Sequence, residues 1–221
     1  MREIADYWRN VAGSWDDSAY SGIAPTDWRE RVATRTRGHI QERLRSAVVF
    51  LAPHADGRTF LEIGCGSGEF AVGLAGHGAA HVWAVDISPE VIERAQARAQ
   101  ANGVADKVTF WSGLVEEAPT QASKVDVCVG LGIIEYLEPD DVVKTLQALT
   151  PTDVFFSFHE NRLEWRSLVH SVYRRLKRMH QYQTYTQVEM KRVLARAGFE
   201  DCLTYRENGN TFITTLVRPG T

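Results

Sequence analysis

Apolar residues follow two different rhythms along the chain. Up to about residue 55, Val32, Ile40, Leu44, Val48 and Leu51 recur at intervals of eight, four, four and three, which puts them on one stripe of a helix. From Thr59 onward the apolar positions gather into short runs: Thr59 to Ile63, Val82 to Val85, Val108 to Trp111, Val125 to Val129 and Val154 to Phe158. Helical segments separate these runs, and strand alternating with helix predicts an α/β fold whose mostly parallel sheet carries helices on both faces. Two further runs, Cys202 to Tyr205 and Thr211 to Val217, flank the turn-forming Glu207-Asn208-Gly209-Asn210 and predict a C-terminal antiparallel strand pair, for seven strands in all.

Helix boundaries are marked as well. Ser88 followed by Pro89 predicts an N-cap with proline in the first turn, and the helix runs to Ala101 before Asn102-Gly103 stops it. Thr186 with Glu189 makes a capping box that opens a segment ending at Ala197-Gly198. Between 162 and 180, Trp165, Leu168, Val169, Val172, Leu176 and Met179 form another helical stripe. The chain therefore reads as one domain over 1–221, with an N-terminal helical lid over 1–55 and a core over 56–221 that carries this inserted helix. A length of 221 residues suits one elaborated domain better than two complete ones.

Composition narrows the class. Twenty-five Lys and Arg against 28 Asp and Glu leave a formal charge of −3, and 44% hydrophobic residues is ordinary globular usage, so a disordered, collagenous or nucleic-acid-coating chain is excluded. No apolar stretch approaches the ~20 residues of a membrane span and Met1-Arg2-Glu3 opens no signal-peptide core, so the expectation is a soluble cytoplasmic protein. Cys65, Cys128 and Cys202 form no CxxC pair and read as reduced thiols. His77 and His81 are four apart, but Gly78 and the strand start at His81 break a shared helical face, and no metal site is expected.

The most informative stretch is Leu61-Glu62-Ile63-Gly64-Cys65-Gly66-Ser67-Gly68, where a buried strand runs into three alternating glycines and then a helix. Glycines are needed where the backbone turns sharply or a ligand leaves no room for a Cβ. Eighteen residues after Gly68, Asp86 closes the next strand, where an acid can accept both hydroxyls of a ribose. Dinucleotide enzymes use G-x-G-x-x-G to face a diphosphate. Here the spacing is G-x-G-x-G, and the carboxylate of Glu62 would repel a diphosphate but complement a cation.

These residues resemble the class I S-adenosylmethionine (SAM)-dependent methyltransferases. The acid and glycine loop of that family's first motif match Glu62, Gly64, Gly66 and Gly68, and its ribose-binding acid matches Asp86, with Ile87 where the family packs an apolar side chain on adenine. The resemblance implies a Rossmann-like doubly wound sheet, SAM as cofactor, and methyl transfer as the activity. The family's acid after the third strand is replaced by Ser112-Gly113-Leu114, with Glu116 and Glu117 displaced, so adenine is expected against Gly113, Leu114 and backbone groups. Leu131, after the fourth strand, is expected to line the methionine moiety.

Ligands of open α/β sheets gather at the carboxyl ends of strands, which selects Glu135 and Tyr136 after the fourth strand and His159 after the fifth. His159 reads either as a general base or as a residue that caps its strand. Trp15 and Tyr20 stand in an aromatic segment that resembles the family's lid, where a ring closes on the sulfonium; helix packing is the alternative. Six basic residues against Glu164 between Arg162 and Arg178 suit an anionic acceptor, a solvated face or an oligomer contact. Element order loosely resembles the magnesium-protoporphyrin and ubiquinone O-methyltransferase branches. The expected reaction is methylation of a hydroxyl or carboxyl on a small molecule. Small-molecule N-transfer, an RNA or protein acceptor, and a non-catalytic SAM-binding regulatory domain stay open, as does a nicotinamide-dependent oxidoreductase.

Overall fold

The computed structural model describes residues 28–117, 119, 122, 124–161 and 182–217, with side chains from residue 40 onward. Seven strands form one sheet: β1 (Thr59–Ile63), β2 (His81–Asp86), β3 (Val108–Ser112), β4 (Val127–Leu131), β5 (Asp153–Phe158), β6 (Leu203–Glu207) and β7 (Asn210–Thr214). Their order is β3-β2-β1-β4-β5-β7-β6, and β7 alone runs antiparallel to β5. The chain reverses direction across the sheet between β1 and β4, and that reversal opens the crevice in which ligands of such sheets sit. Helices α1 (Trp28–Leu51), α2 (Glu69–Gly76) and α3 (Pro89–Ala101) precede those in the second half, α4 (Pro139–Leu149) and α5 (Gln187–Arg196). No described helix is long and apolar enough to cross a membrane.

One core cluster joins Ala47, Phe50 and Leu51 of α1 to Phe70 and Leu74 of α2 and to Phe60, Val129 and Phe155 of the sheet; the other packs α4 and α5 against Leu61, Cys128 and Phe156. Alternate strand residues point to opposite faces, so every strand but β6 feeds both clusters. Full burial of a large apolar side chain contributes about 1.5–3 kcal/mol.

The expected lid over 1–55 differs from this. Ala47, Leu51 and Ala55 are fully buried, so its last turns are scaffold, and residues 1–27 lie outside the described residues. Phe50 stacks on Tyr205 of β6 at 5.2 Å, and Asn208 at the β6–β7 turn donates to Ser46 Oγ at 3.2 Å, so α1 is stitched to the C-terminal hairpin. The inserted helix expected near 162–180 likewise lies outside the described residues.

Most expected elements appear within a residue or two. Asn208 and Gly209 both have positive φ, 48° and 76°, the two-residue turn that joins twisted antiparallel strands. The capping box at Thr186 is complete, with Glu189 N–H donating to Thr186 Oγ1 at 3.2 Å and Thr186 N–H donating to Glu189 Oε2 at 2.7 Å. Two expectations are corrected. The fourth strand spans Val127–Leu131, not Val125 to Val129, because the Asp126 carboxylate is held by the Thr59 N–H at 2.7 Å, while Gly130 continues the ladder against Phe156. Ser88 holds the N-cap position of α3, but its hydroxyl is buried without a hydrogen-bond partner; Asp86 Oδ1 instead accepts the Ser88 N–H at 3.1 Å.

Candidate active site

The turn after β1 is rigidly preformed. Gly64, Gly66 and Gly68 all adopt positive φ, 74°, 50° and 73°, a region that costs a residue with a Cβ about 1–2 kcal/mol. A Cβ on Gly68 would lie 2.8 Å from the Ala95 methyl and 2.9 Å from the Phe110 ring, so this glycine lets α3 and β3 close against the loop. A Cβ on Gly66 would meet nothing within 4 Å, which leaves that backbone open to a ligand. Val85 O accepts from the N–H groups of Gly64 and Cys65 at 2.8 and 3.0 Å, and Arg98 Nε donates to Ser67 O at 2.9 Å, so the neighbouring strand and α3 both grip the loop.

Asp86 belongs to the same construction. Its Oδ2 accepts the Gly66 N–H at 2.9 Å and its Oδ1 the Ser88 N–H at 3.1 Å, so the carboxylate fixes the glycine turn and the start of α3 together. Ile87 follows, half-buried. Glu62, on β1 below the loop, is 2% exposed and its Oε2 has no hydrogen-bond partner. Burial, reinforced by the charge of Asp86, pushes the Glu62 carboxyl well above the usual carboxylate range. The same burial raises the Cys65 thiol, which makes it inert as a nucleophile.

Glu117 was missed at the next position. Although displaced in sequence, its carboxylate returns to accept the Leu114 N–H at 2.9 Å and crowds the face of Gly113 where a Cβ would stand. Gly113 N–H donates to Asp86 O at 2.9 Å, which ties this turn to the end of β2. A carboxylate therefore stands where the sequence places only Leu114 and backbone groups.

On the other side of the crevice, Leu131 ends β4 at 7% exposure, with its side chain in the core cluster beside α1. Glu135 follows in the next turn. It is 3% exposed, its Oε1 accepts the His159 N–H at 2.7 Å, and its own carbonyl accepts the Gln183 N–H at 2.7 Å. Burial raises its carboxyl, and the charge of Arg43 opposes that rise. Glu135 thus holds His159 in place from behind. The ring of Tyr182 meets Tyr136 at 5.2 Å and His159 at 6.1 Å, edge to face in both cases. Glu160 is committed elsewhere, paired with Arg206 and accepting from Thr211 Oγ1 at 2.9 Å. Trp15 and Tyr20 lie outside the described residues.

A cationic nucleoside fits what the chain offers: an orphaned buried carboxylate oxygen on Glu62, an open backbone cradle at Gly66 and the carboxylate of Asp86 at the end of β2. Comparison with known proteins agrees. Residues 60–152 match the family model described as a methyltransferase domain. That match spans 93 of the 221 residues, and the stretch carries the motif by which the chain resembles the class I SAM-dependent methyltransferases. The methyl donor of that family is SAM. Among solved structures, magnesium protoporphyrin IX methyltransferase (ChlM) from Synechocystis PCC 6803 with bound S-adenosylhomocysteine (SAH) superposes with a TM-score of 0.75 at 18% identity, covering 96% of this chain and 97% of that one, which establishes a shared fold. Ribosomal protein arginine N-methyltransferase rmt3 of Schizosaccharomyces pombe is 40% identical over 73 residues, 33% of this chain and 13% of that protein. The ribosomal protein L11 methyltransferase of Photobacterium profundum is 36% identical over 92 residues, 41% of this chain and 30% of that protein. The chain thus spans less than a third of the length of either relative.

Within the methyltransferase fold, the structure brings Glu62, Gly64, Gly66, Gly68, Asp86, Gly113 and Leu114 to one end of the sheet, and Glu135, Tyr136 and His159 to the neighbouring strands. Among the described residues no cluster of His, Cys, Asp or Glu can hold a metal ion, and His81 Nε2 is spent on Thr109 Oγ1 at 2.9 Å. Sequence reasoning missed Arg43, Glu117 and Tyr182. Arg43 left a signal: it stands three residues after Ile40 and four before Ala47, a charge on the apolar stripe of its helix.

Proposed function

We propose that the chain is a SAM-dependent methyltransferase that transfers a methyl group to an oxygen of a small-molecule acceptor, a hydroxyl or a carboxylate. The observation that carries this reading is the pairing of an open glycine turn and Asp86, at the ends of β1 and β2, with His159 at the carboxyl end of β5, whose main-chain N–H is held by the buried Glu135. Asp86 receives the ribose hydroxyls, Gly66 and its neighbours admit the ligand backbone-close, and Glu62 stands below the loop as a buried carboxyl that a cationic ligand would help to ionise. Bound SAM supplies a methyl group on a sulfonium, already a good electrophile. The chain's task is therefore to align the acceptor, exclude water and remove a proton. His159 is assigned the last of these, supported by its position at the end of β5 beside the rings of Tyr136 and Tyr182.

A panel of phenols, carboxylic acids and amines incubated with methyl-labelled SAM tests the acceptor class; label in the oxygen compounds is expected. With the acceptor in hand, His159→Ala is expected to lower kcat at least thirtyfold while SAH affinity stays within threefold. An unchanged kcat returns His159 to a structural role. The likeness to the arginine and L11 methyltransferases favours one second reading, a protein acceptor methylated at nitrogen. Label that enters only the protein fraction of a lysate would select it.

A further inference from the structure

Glycine makes the turn after β1 pliable, so its fixed shape has to be imposed from outside. Gly66 and Gly68 flank Ser67, and glycine takes either sign of φ at little cost, so the Ser67–Gly68 peptide can turn over without strain. Such a flip would destroy the turn. Gly68 N–H closes it by donating to Cys65 O at 3.0 Å, and the Ser67 carbonyl lies on the opposite side of that same planar peptide. Whatever holds Ser67 O therefore holds the closing bond as well.

Arg98 does so. It stands in the last turn of α3, donates from Nε to Ser67 O at 2.9 Å and brings Nη2 to 3.5 Å from Ser67 Oγ. Ser67 is 2% exposed, so water is a poor substitute for the arginine as a donor to its carbonyl. The other end of α3 is tied to the turn as well. Its Ser88 N–H is bound to Asp86 Oδ1, the carboxylate whose Oδ2 accepts the Gly66 N–H. Ala95, three residues before Arg98 and so on the same helix face, meets the position where Gly68 lacks a Cβ. We propose that Arg98 is a positioning residue for the cofactor: from behind the turn it locks the Ser67–Gly68 peptide in the orientation that SAM and SAH bind, without touching either. The assignment rests on the reading of this turn as the SAM site. Apparent affinity scales with the fraction of time a site spends in its binding shape, so a turn correct about one-sixth of the time binds about sixfold more weakly.

Calorimetry with SAH on the full chain, joined to hydrogen exchange on the unliganded chain, tests the assignment. A wild-type chain that does not bind SAH overturns the SAM reading and Arg98's role with it. Where it binds, two variants are compared. Arg98→Gln loses the charge but keeps an N–H donor as many bonds from Cα as Nε, and its SAH affinity is expected within about twofold of wild type. Arg98→Met has a similar length and no donor, and is expected to bind SAH at least about sixfold more weakly, with the Gly66 and Gly68 amides exchanging faster while those of β4 keep their wild-type rates. Should Arg98→Met fail to fold, Arg98→Ala takes its place with the same expectation. A loss at least about threefold larger for the donor-free variant than for Arg98→Gln, with the faster exchange confined to the turn, supports the assignment. Any smaller ratio, or any exchange pattern not confined to the turn, overturns it.

Discussion

The two sides of the crevice are built by different means. Over β1 and β2, the site is made of backbone: three left-handed glycines, main-chain bonds to Val85 and a single carboxylate, Asp86, that fastens the loop from the next strand. Over β4 and β5, it is made of side chains that reach across the fold, with Glu135 gripping His159 and Arg43 arriving from a helix that precedes the first strand. Backbone construction encodes a shape within about 25 residues of sequence. Side-chain construction depends on where distant elements come to rest. The first suits a ligand shared by a whole family, and the second suits the part that individual members vary.

The largest expected effect breaks the backbone side. Gly68→Val forces a branched side chain into left-handed φ and into Ala95 and Phe110, and should cost roughly 2–4 kcal/mol, read as a fall of about 10 °C in Tm. Next comes Asp86→Ala, which removes a ribose acceptor together with the anchors of Gly66 and Ser88; calorimetry should show SAM or SAH binding weakened at least tenfold. An unchanged affinity would return that acid to loop support alone. Away from the crevice, Thr186→Ala dismantles the cap of α5 and should lower the unfolding free energy in urea by about 1 kcal/mol, with SAH affinity untouched.

The last prediction is smaller at any one pH and reads the sign of a charge. Burial raises the Glu62 carboxyl above its unfolded value, so the folded chain holds that proton more tightly. Its contribution to stability is therefore greatest in acid and declines as pH rises from the unfolded value through the folded one. Glu62→Gln should remove that decline, seen as a flatter urea-unfolding profile from pH 4 to 8 than the wild type gives. Cationic SAM favours the ionised carboxylate, so binding in this window should release a proton, detected as a calorimetric enthalpy that changes with the buffer.

The same division explains what could be read in advance. Glu62, the glycines and Asp86 were legible because a strand, a turn and a helix N-terminus follow one another with no room for other residues. β6 and β7 were legible because Asn208-Gly209 is a turn wherever it stands between apolar runs. Glu135 was found from its place after β4, but its burial and its bond to the main chain of His159, 24 residues away, leave no local pattern. Glu117 was dismissed for its spacing, though a short 3-10 turn over Val115–Glu117 folds it back onto Leu114. Arg43 left a local sign, a charge on the apolar stripe of α1, but its contact with the turn after β4 is set by how distant elements pack.

Strand order has a further consequence, for biosynthesis. β5 pairs on one side with β4 and on the other with β7, and about 50 residues are translated between Phe158 and Asn210. A nascent chain leaving the ribosome thus holds an apolar edge, Val154 to Phe158, open until its final strands emerge. Translation pauses in that interval expose the chain to aggregation, and holdase chaperones that recognise bare strands meet it there.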